Sequence, residues 1–156
     1  MNDELTFLPD DEELVTAEST AYWNILIVDD EMDVHTMTRF SLRDKVINGR
    51  KLNLVDAYSG TEAIEFLKGT TDIDLILLDM VMESHDAGLK VAHWLREDAG
   101  RVDTPIVVLR TGHPGSLSAK DIATNKHFNG MIEKQKTTFQ SLIGTLSQLL
   151  PDNKPA

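Results

Sequence analysis

Two short apolar runs, Ile25-Leu26-Ile27-Val28 and Leu75-Ile76-Leu77-Leu78, stop abruptly at acids: Asp29-Asp30 after the first, Asp79 after the second. Unbroken branched residues closed by charge read as central parallel strands, buried on both faces, whose carboxyl ends open onto solvent. In an open α/β sheet that rim is where ligands bind. Three acids sharing it make a small site of dense negative charge suited to a divalent cation.

The rest of the chain supplies the alternation such a sheet requires. Asp33 is placed to cap a helix running to about Lys45, with Val34, Met37, Ser41 and Leu42 on its inner face. Asn48-Gly49 marks a turn and Leu52 to Ala57 a second strand. Ser59-Gly60-Thr61 opens a helix carrying Ala63, Ile64 and Leu67, closed by Gly69. A helix from about Gly88 to Ala99 turns Leu89, Ala92 and Leu95 inward, and Pro105 precedes a strand from Ile106 to Leu109. A weak helix over 116–125 leads to a strand near Phe128 to Ile132. The last helix places Phe139, Leu142, Ile143, Leu146, Leu149 and Leu150 at three-to-four spacing and stops at Pro151. Five strands alternating with five helices predict a doubly wound parallel sheet with right-handed crossovers.

Length, 156 residues, suits one domain. Formal net charge is −11, which disfavours nucleic-acid binding because phosphate neutralisation needs clustered Lys and Arg. Asp3, Glu4, Asp10, Asp11, Glu12, Glu13 and Glu18 lie in the first 20 residues with no Lys or Arg. The expected organisation is an acidic flexible leader over 1–21, a folded domain over 22–150 and a tail over 151–156. No apolar run approaches the roughly 20 residues of a membrane span, so no membrane partner is expected. The absence of cysteine excludes disulfides and thiolate metal sites, and the default compartment is the cytoplasm.

Several chemistries lack their first requirement. Strand one runs into Asp29-Asp30-Glu31 rather than a glycine fingerprint, and neither a phosphate loop nor a serine elbow is present. The histidines at 35, 85, 93, 113 and 127 show no metal-ligand spacing and are expected on the surface or in loops. Trp94 reads as packing.

The stretches ILIVDDE and LILLDMVME, with a Thr after strand four and a Lys after strand five, form an ordered series of strand-end residues. From about Trp23 to Leu150 the chain resembles the receiver domain of bacterial two-component response regulators. The resemblance implies a flavodoxin-like (βα)5 fold with strand order 2-1-3-4-5. It also implies that Asp79 accepts a phosphoryl group from the phosphohistidine of a sensor histidine kinase or phosphotransfer protein. Mg2+ would be held directly by Asp30 and Asp79, through water by Asp29, and by the Val81 carbonyl; Lys134 and Thr111 would bind phosphoryl oxygens. The implied partners are an output domain or downstream protein, together with a homodimer formed on phosphorylation. No turnover of an external substrate is implied. A receiver-like interaction module independent of phosphorylation is the alternative reading.

Departures from the family pattern concern the switch. Arg110 occupies the usual hydroxyl position and Thr111 follows it. Arg110 is expected either to contact the phosphoryl group or an acid such as Glu83, or to lie exposed over the loop. Met131 replaces the usual aromatic, and Glu83 replaces a proline. Leu109-Arg110-Thr111-Gly112-His113-Pro114-Gly115, the loop Met82-Glu83-Ser84-His85-Asp86-Ala87-Gly88, the pair Glu133-Lys134 and the acidic leader resemble the subgroup that often precedes cyclic-di-GMP phosphodiesterase-type output modules.

Overall fold

A computed structural model describes residues 21–112 and 126–152. The expected leader up to residue 20, the helix over 116–125 and most of the tail fall outside the described residues. The elements are β1 (Tyr22–Val28), α1 (Met32–Leu42), β2 (Val46–Ile47), β3 (Arg50–Ala57), α2 (Gly60–Lys68), β4 (Leu75–Asp79) and α3 (Ala87–His93). Then come a π-helical turn at Trp94–Asp98, β5 (Ile106–Thr111), β6 (Gly130–Glu133) and α4 (Phe139–Leu149). No described helix is long and apolar enough to cross a membrane.

The sheet runs β2-β3-β1-β4-β5-β6. Its five parallel strands have the expected doubly wound, flavodoxin-like order, and a sixth is added at the edge. That strand is β2, antiparallel to β3. The Asn48-Gly49 turn therefore closes a hairpin instead of only separating helix from strand. Asn48 and Gly49 have φ of 47° and 84°, the positive values a two-residue hairpin loop demands.

Alternate residues of the central strands serve opposite layers, as a period of two requires. Leu26, Val28, Ile76, Leu78, Val107 and Leu109 pack with Ala63 and Leu67 of α2 and with Val91 and Ala92 of α3. Ile25, Ile27, Leu75, Leu77, Val108 and Ile132 face Leu42 of α1 and Leu142 and Leu146 of α4. Continuing that second series along each strand leads to Asp29, Asp79, Arg110 and Lys134. One face of the pleat thus carries apolar core below and charge at the rim.

Local chemistry sets the helix ends. Ser59 caps α2 by accepting from the Glu62 amide, while Thr138 and Ser141 cap α4 reciprocally. The expectation for Asp33 is corrected. Glu31 occupies the cap position without a side-chain bond, and Asp33 lies in the first helical turn, where its charge complements the helix dipole. The inner face of α1 is His35, Thr38, Ser41 and Leu42 rather than a stripe including Met37, which is exposed. Phe139 is also exposed, 5.7 Å from the Phe40 ring at the mouth between α1 and α4.

Gly88 fixes α3 against the end of β4. Its amide donates to the Met80 carbonyl at 2.9 Å, and a Cβ there would lie 2.4 Å from the Asp79 carbonyl oxygen. Backbone on one side and helix on the other leave no room for adjustment. Gly88→Ala is expected to lower stability by about 1–3 kcal/mol, read as an earlier midpoint in urea unfolding.

Candidate functional site

Where β1 and β4 end side by side, Asp29, Asp30 and Asp79 each offer a carboxylate oxygen within 4.8 Å of the others. Asp29 and Asp79 are 1% and 5% exposed, whereas Asp30 faces solvent. Such convergence is unfavourable for bare carboxylates, because each burial and each neighbour penalises the ionised form. Burial first, and then the Asp29 charge, push the Asp79 carboxyl up to about 6, against the opposing pull of Lys134.

Lys134, just past β6, is the compensating charge. Its Nζ lies 2.9 Å from Asp29 Oδ2, 3.3 Å from Asp79 Oδ2 and 3.5 Å from Glu31 Oε1. Burial draws its pKa down, but Asp29, Asp79 and Glu31 outweigh that and hold it above the usual lysine value. This ammonium and the Arg110 guanidinium on the same strand face, set against four acids, still leave an excess of negative charge. Asp29 Oδ1 accepts from the Glu31 amide at 2.9 Å, while Oδ2 is buried without a well-directed hydrogen bond despite the nearby ammonium. An all-oxygen donor set with an under-satisfied buried carboxylate oxygen fits a hard divalent cation. Asp30, Asp79, Val81, Thr111 and Lys134 border one hollow of about 530 Å³ at this rim.

Arg110 departs from two of the placements expected for it. It is neither exposed nor paired with Glu83; it is 6% exposed, and its Nη1 donates to Thr38 Oγ1 of α1 at 3.0 Å. Strand alternation explains the placement, since Arg110 pairs in register with Asp79 and shares its face. Burial lowers its pKa, while the Asp29 and Asp79 carboxylates favour its charge. Thr111 alternates to the other face and is buried, yet it still borders the hollow. Met131 is half-buried in β6, in register with Leu109.

Glu83 serves a different element. Its carboxylate accepts from the Gly60 amide at 2.9 Å, the Thr61 amide at 2.9 Å and Thr61 Oγ1 at 3.1 Å. It thereby ties the loop after β4 to the N-terminus of α2, where an anion is favoured. Burial raises its pKa, but those donors prevail and keep it below the ordinary glutamate value.

His35 was missed by the surface expectation for histidines. It is 2% exposed, with Nδ1 2.7 Å from Asp56 Oδ1 and Nε2 2.7 Å from the Asp29 carbonyl oxygen. Its spacing to Thr38 and Leu42 puts it on the inner stripe of α1. That signal was available, but it requires counting a polar residue as part of a core face.

The model of the response regulator receiver domain matches residues 25–144. The 3'3'-cGAMP-specific phosphodiesterase 2 of Vibrio cholerae is 32% identical over 140 residues, covering 90% of this chain and 27% of that protein. The chain thus spans only a minor part of this curated relative. A response regulator receiver protein from Sinorhizobium medicae shares 29% identity with a TM-score of 0.61, over 84% of this chain and 96% of that one. The chemotaxis protein CheY4 of Vibrio cholerae, at 21% identity and a TM-score of 0.64, covers 83% of this chain and 100% of its own. That likeness is one of fold.

The Asp79 pKa fixes the sign of a pH effect in metal-free protein. A folded value raised above the ordinary one means that the native state binds the proton more tightly. The contribution of Asp79 therefore favours folding below about pH 4 and is lost as pH rises through about 6. Asp79→Asn removes the ionisation, so thermal melts from about pH 4 to pH 7 should show the parent losing Tm relative to the variant.

Proposed function

The chain belongs to the response regulator receiver domain family, and from that premise we propose that Asp79 is its phosphoacceptor, within a receiver over 22–150. The observation that carries this reading is the Lys134 ammonium set between the Asp29 and Asp79 carboxylates, 2.9 and 3.3 Å away. Lone strand-end acids need no such partner. Asp30 and Asp79 would hold Mg2+ directly, with Asp29 acting through water and the Val81 carbonyl completing the protein's share. When bound, Mg2+ screens the repulsion between the nucleophile and the phosphoryl donor.

The remaining chemistry belongs to the chain. An Asp79 carboxylate oxygen attacks the phosphorus of a phosphohistidine; the new O–P bond forms as the P–N bond breaks, and the imidazole departs. Only the ionised carboxylate is nucleophilic, so Lys134, by opposing the upward pKa shift, keeps Asp79 competent near neutral pH. The same ammonium then follows charge onto a phosphoryl oxygen as a mobile point donor.

Arg110 and Thr111 would read the modified state from opposite faces. Arg110 bonds Thr38 of α1 and lies on the Asp79 face within the field of the Asp29 and Asp79 carboxylates, so a new anion on Asp79 would compete for the guanidinium. A shift between two populated arrangements follows from that difference in contacts. The donor would come from a sensor histidine kinase or phosphotransfer protein. The mouth between α1 and α4, edged by exposed Met37, Phe40 and Phe139 and reaching in to Arg110 and Lys134, offers apolar surface for its approach. The state would be passed to an output domain or downstream protein, with a phosphorylation-dependent homodimer as a further outlet.

Acetyl phosphate with Mg2+ should add one phosphoryl group to the parent and none to Asp79→Asn, read by intact-protein mass. An unchanged parent mass would transfer the case to a phosphorylation-independent interaction module, a reading favoured by the loss of the usual switch hydroxyl at Arg110. Arg110→Ala should still gain the group but change its lifetime several-fold, followed as decay of the modified mass. An unaltered lifetime would remove Arg110 from the switch.

A further inference from the structure

The turn Asp29-Asp30-Glu31 lies beyond the last paired residue of β1, since both flanking ladders stop at Val28. A rim site must hold its carboxylates within about 0.5 Å of a productive arrangement. The Asp29 amide still reaches the Ala57 carbonyl at 3.1 Å. Its carbonyl has no strand partner and is met from α1 by His35, whose Nε2 lies 2.7 Å away. A carbonyl only accepts, so the proton of this bond sits on Nε2.

The imidazole is fixed from behind. Its Nδ1 faces Asp56 Oδ1 at 2.7 Å, and Asp56 Oδ2 accepts from Arg39 through Nε at 3.1 Å and Nη2 at 2.6 Å. Tyr58 lies against the ring with centroids 4.2 Å apart. Burial alone asks only that both ring nitrogens be met, but the partners here are specific, the carbonyl of the acid turn on one side and an anchored carboxylate on the other. They run as a chain from the outer side of α1 to the main chain of the acid pair.

We infer that His35 is a positioning residue for the cation site: held by Asp56 and Arg39, it clamps the Asp29 carbonyl and so sets where the Asp29 and Asp30 carboxylates converge. This rests on the reading that those carboxylates hold Mg2+. Partners of this kind behind a metal ligand commonly govern affinity by 10- to 100-fold.

Two substitutions separate positioning from packing. A Gln side chain can bring its amide nitrogen near the place of Nε2, whereas Asn reaches only that of Nδ1. Both lose the ring against Tyr58. Mg2+ titrated calorimetrically into His35→Asn should bind about tenfold or more weaker than to the parent, with His35→Gln within about threefold. In metal-free protein the Asp29, Asp30 and Glu31 amide resonances should move in His35→Asn and stay near parental positions in His35→Gln. Equal losses in both variants, tracking their Tm, would reduce His35 to packing and overturn the inference, as would parental affinity and unmoved amides in His35→Asn. Should His35→Asn fail to fold, Asp56→Asn replaces it: the inference expects Mg2+ binding several-fold weaker, and parental affinity overturns it. A parent that binds no Mg2+ would instead refute the metal reading, and the metal-free amide shifts would then decide the role of His35.

Discussion

A single ammonium shared by two buried carboxylates is the interaction on which the rim of this molecule depends. Without Lys134, Asp29 and Asp79 would repel in a place where water cannot screen them, and the cheapest relief would be protonation. With it, the pair remains ionisable but under-compensated. Under the proposed reading that residual imbalance is what a divalent cation would answer: a fully neutralised well would attract none, and a wholly uncompensated one would penalise both buried carboxylates. The apolar sheet below makes the imbalance durable. Leu77, Val108 and Ile132 lie on the same pleat face beneath the charged groups and deny them solvent from that side.

Much of this was legible from the chain because it follows from alternation and abrupt closure. Apolar runs ending in acid located the central strands and brought three acids to one rim, and the period of two then accounts for which rim residues share a face. The same rule explains Arg110. Its register with Asp79 was implicit in the strand pattern, but the direction of a long, flexible side chain depends on what α1 presents, and Thr38 is informative only once α1 is packed. Expecting Arg110 to find Glu83 failed for a related reason. Two backbone donors at the start of α2 compete for that carboxylate, and no sequence period reports an unsatisfied helix terminus across 23 residues.

His35 and Met37 show a second limit. A hydropathy pattern assigns faces by side-chain type, so it turned Met37 inward and His35 outward. The structure reverses both, because a histidine whose two nitrogens are met can be buried at little cost, while a methionine at the mouth between α1 and α4 can remain exposed. The added β2 strand was hidden for the opposite reason. Two residues are too few to form a pattern, and only the positive φ values at Asn48 and Gly49 convert a turn into a hairpin.

That small hairpin changes what the sheet can join. Open borders of β-structure invite foreign strands to continue the ladder, and long flat ones seed aggregates. Here the border beyond β3 is taken by a strand of two residues, Val46 and Ile47, with Lys45, Arg50 and Lys51 clustered around it. A newcomer would find almost no template and a fence of like charge. Growth by strand addition is thereby disfavoured on this flank of the described sheet, and a two-residue strand serves as a stop rather than a template.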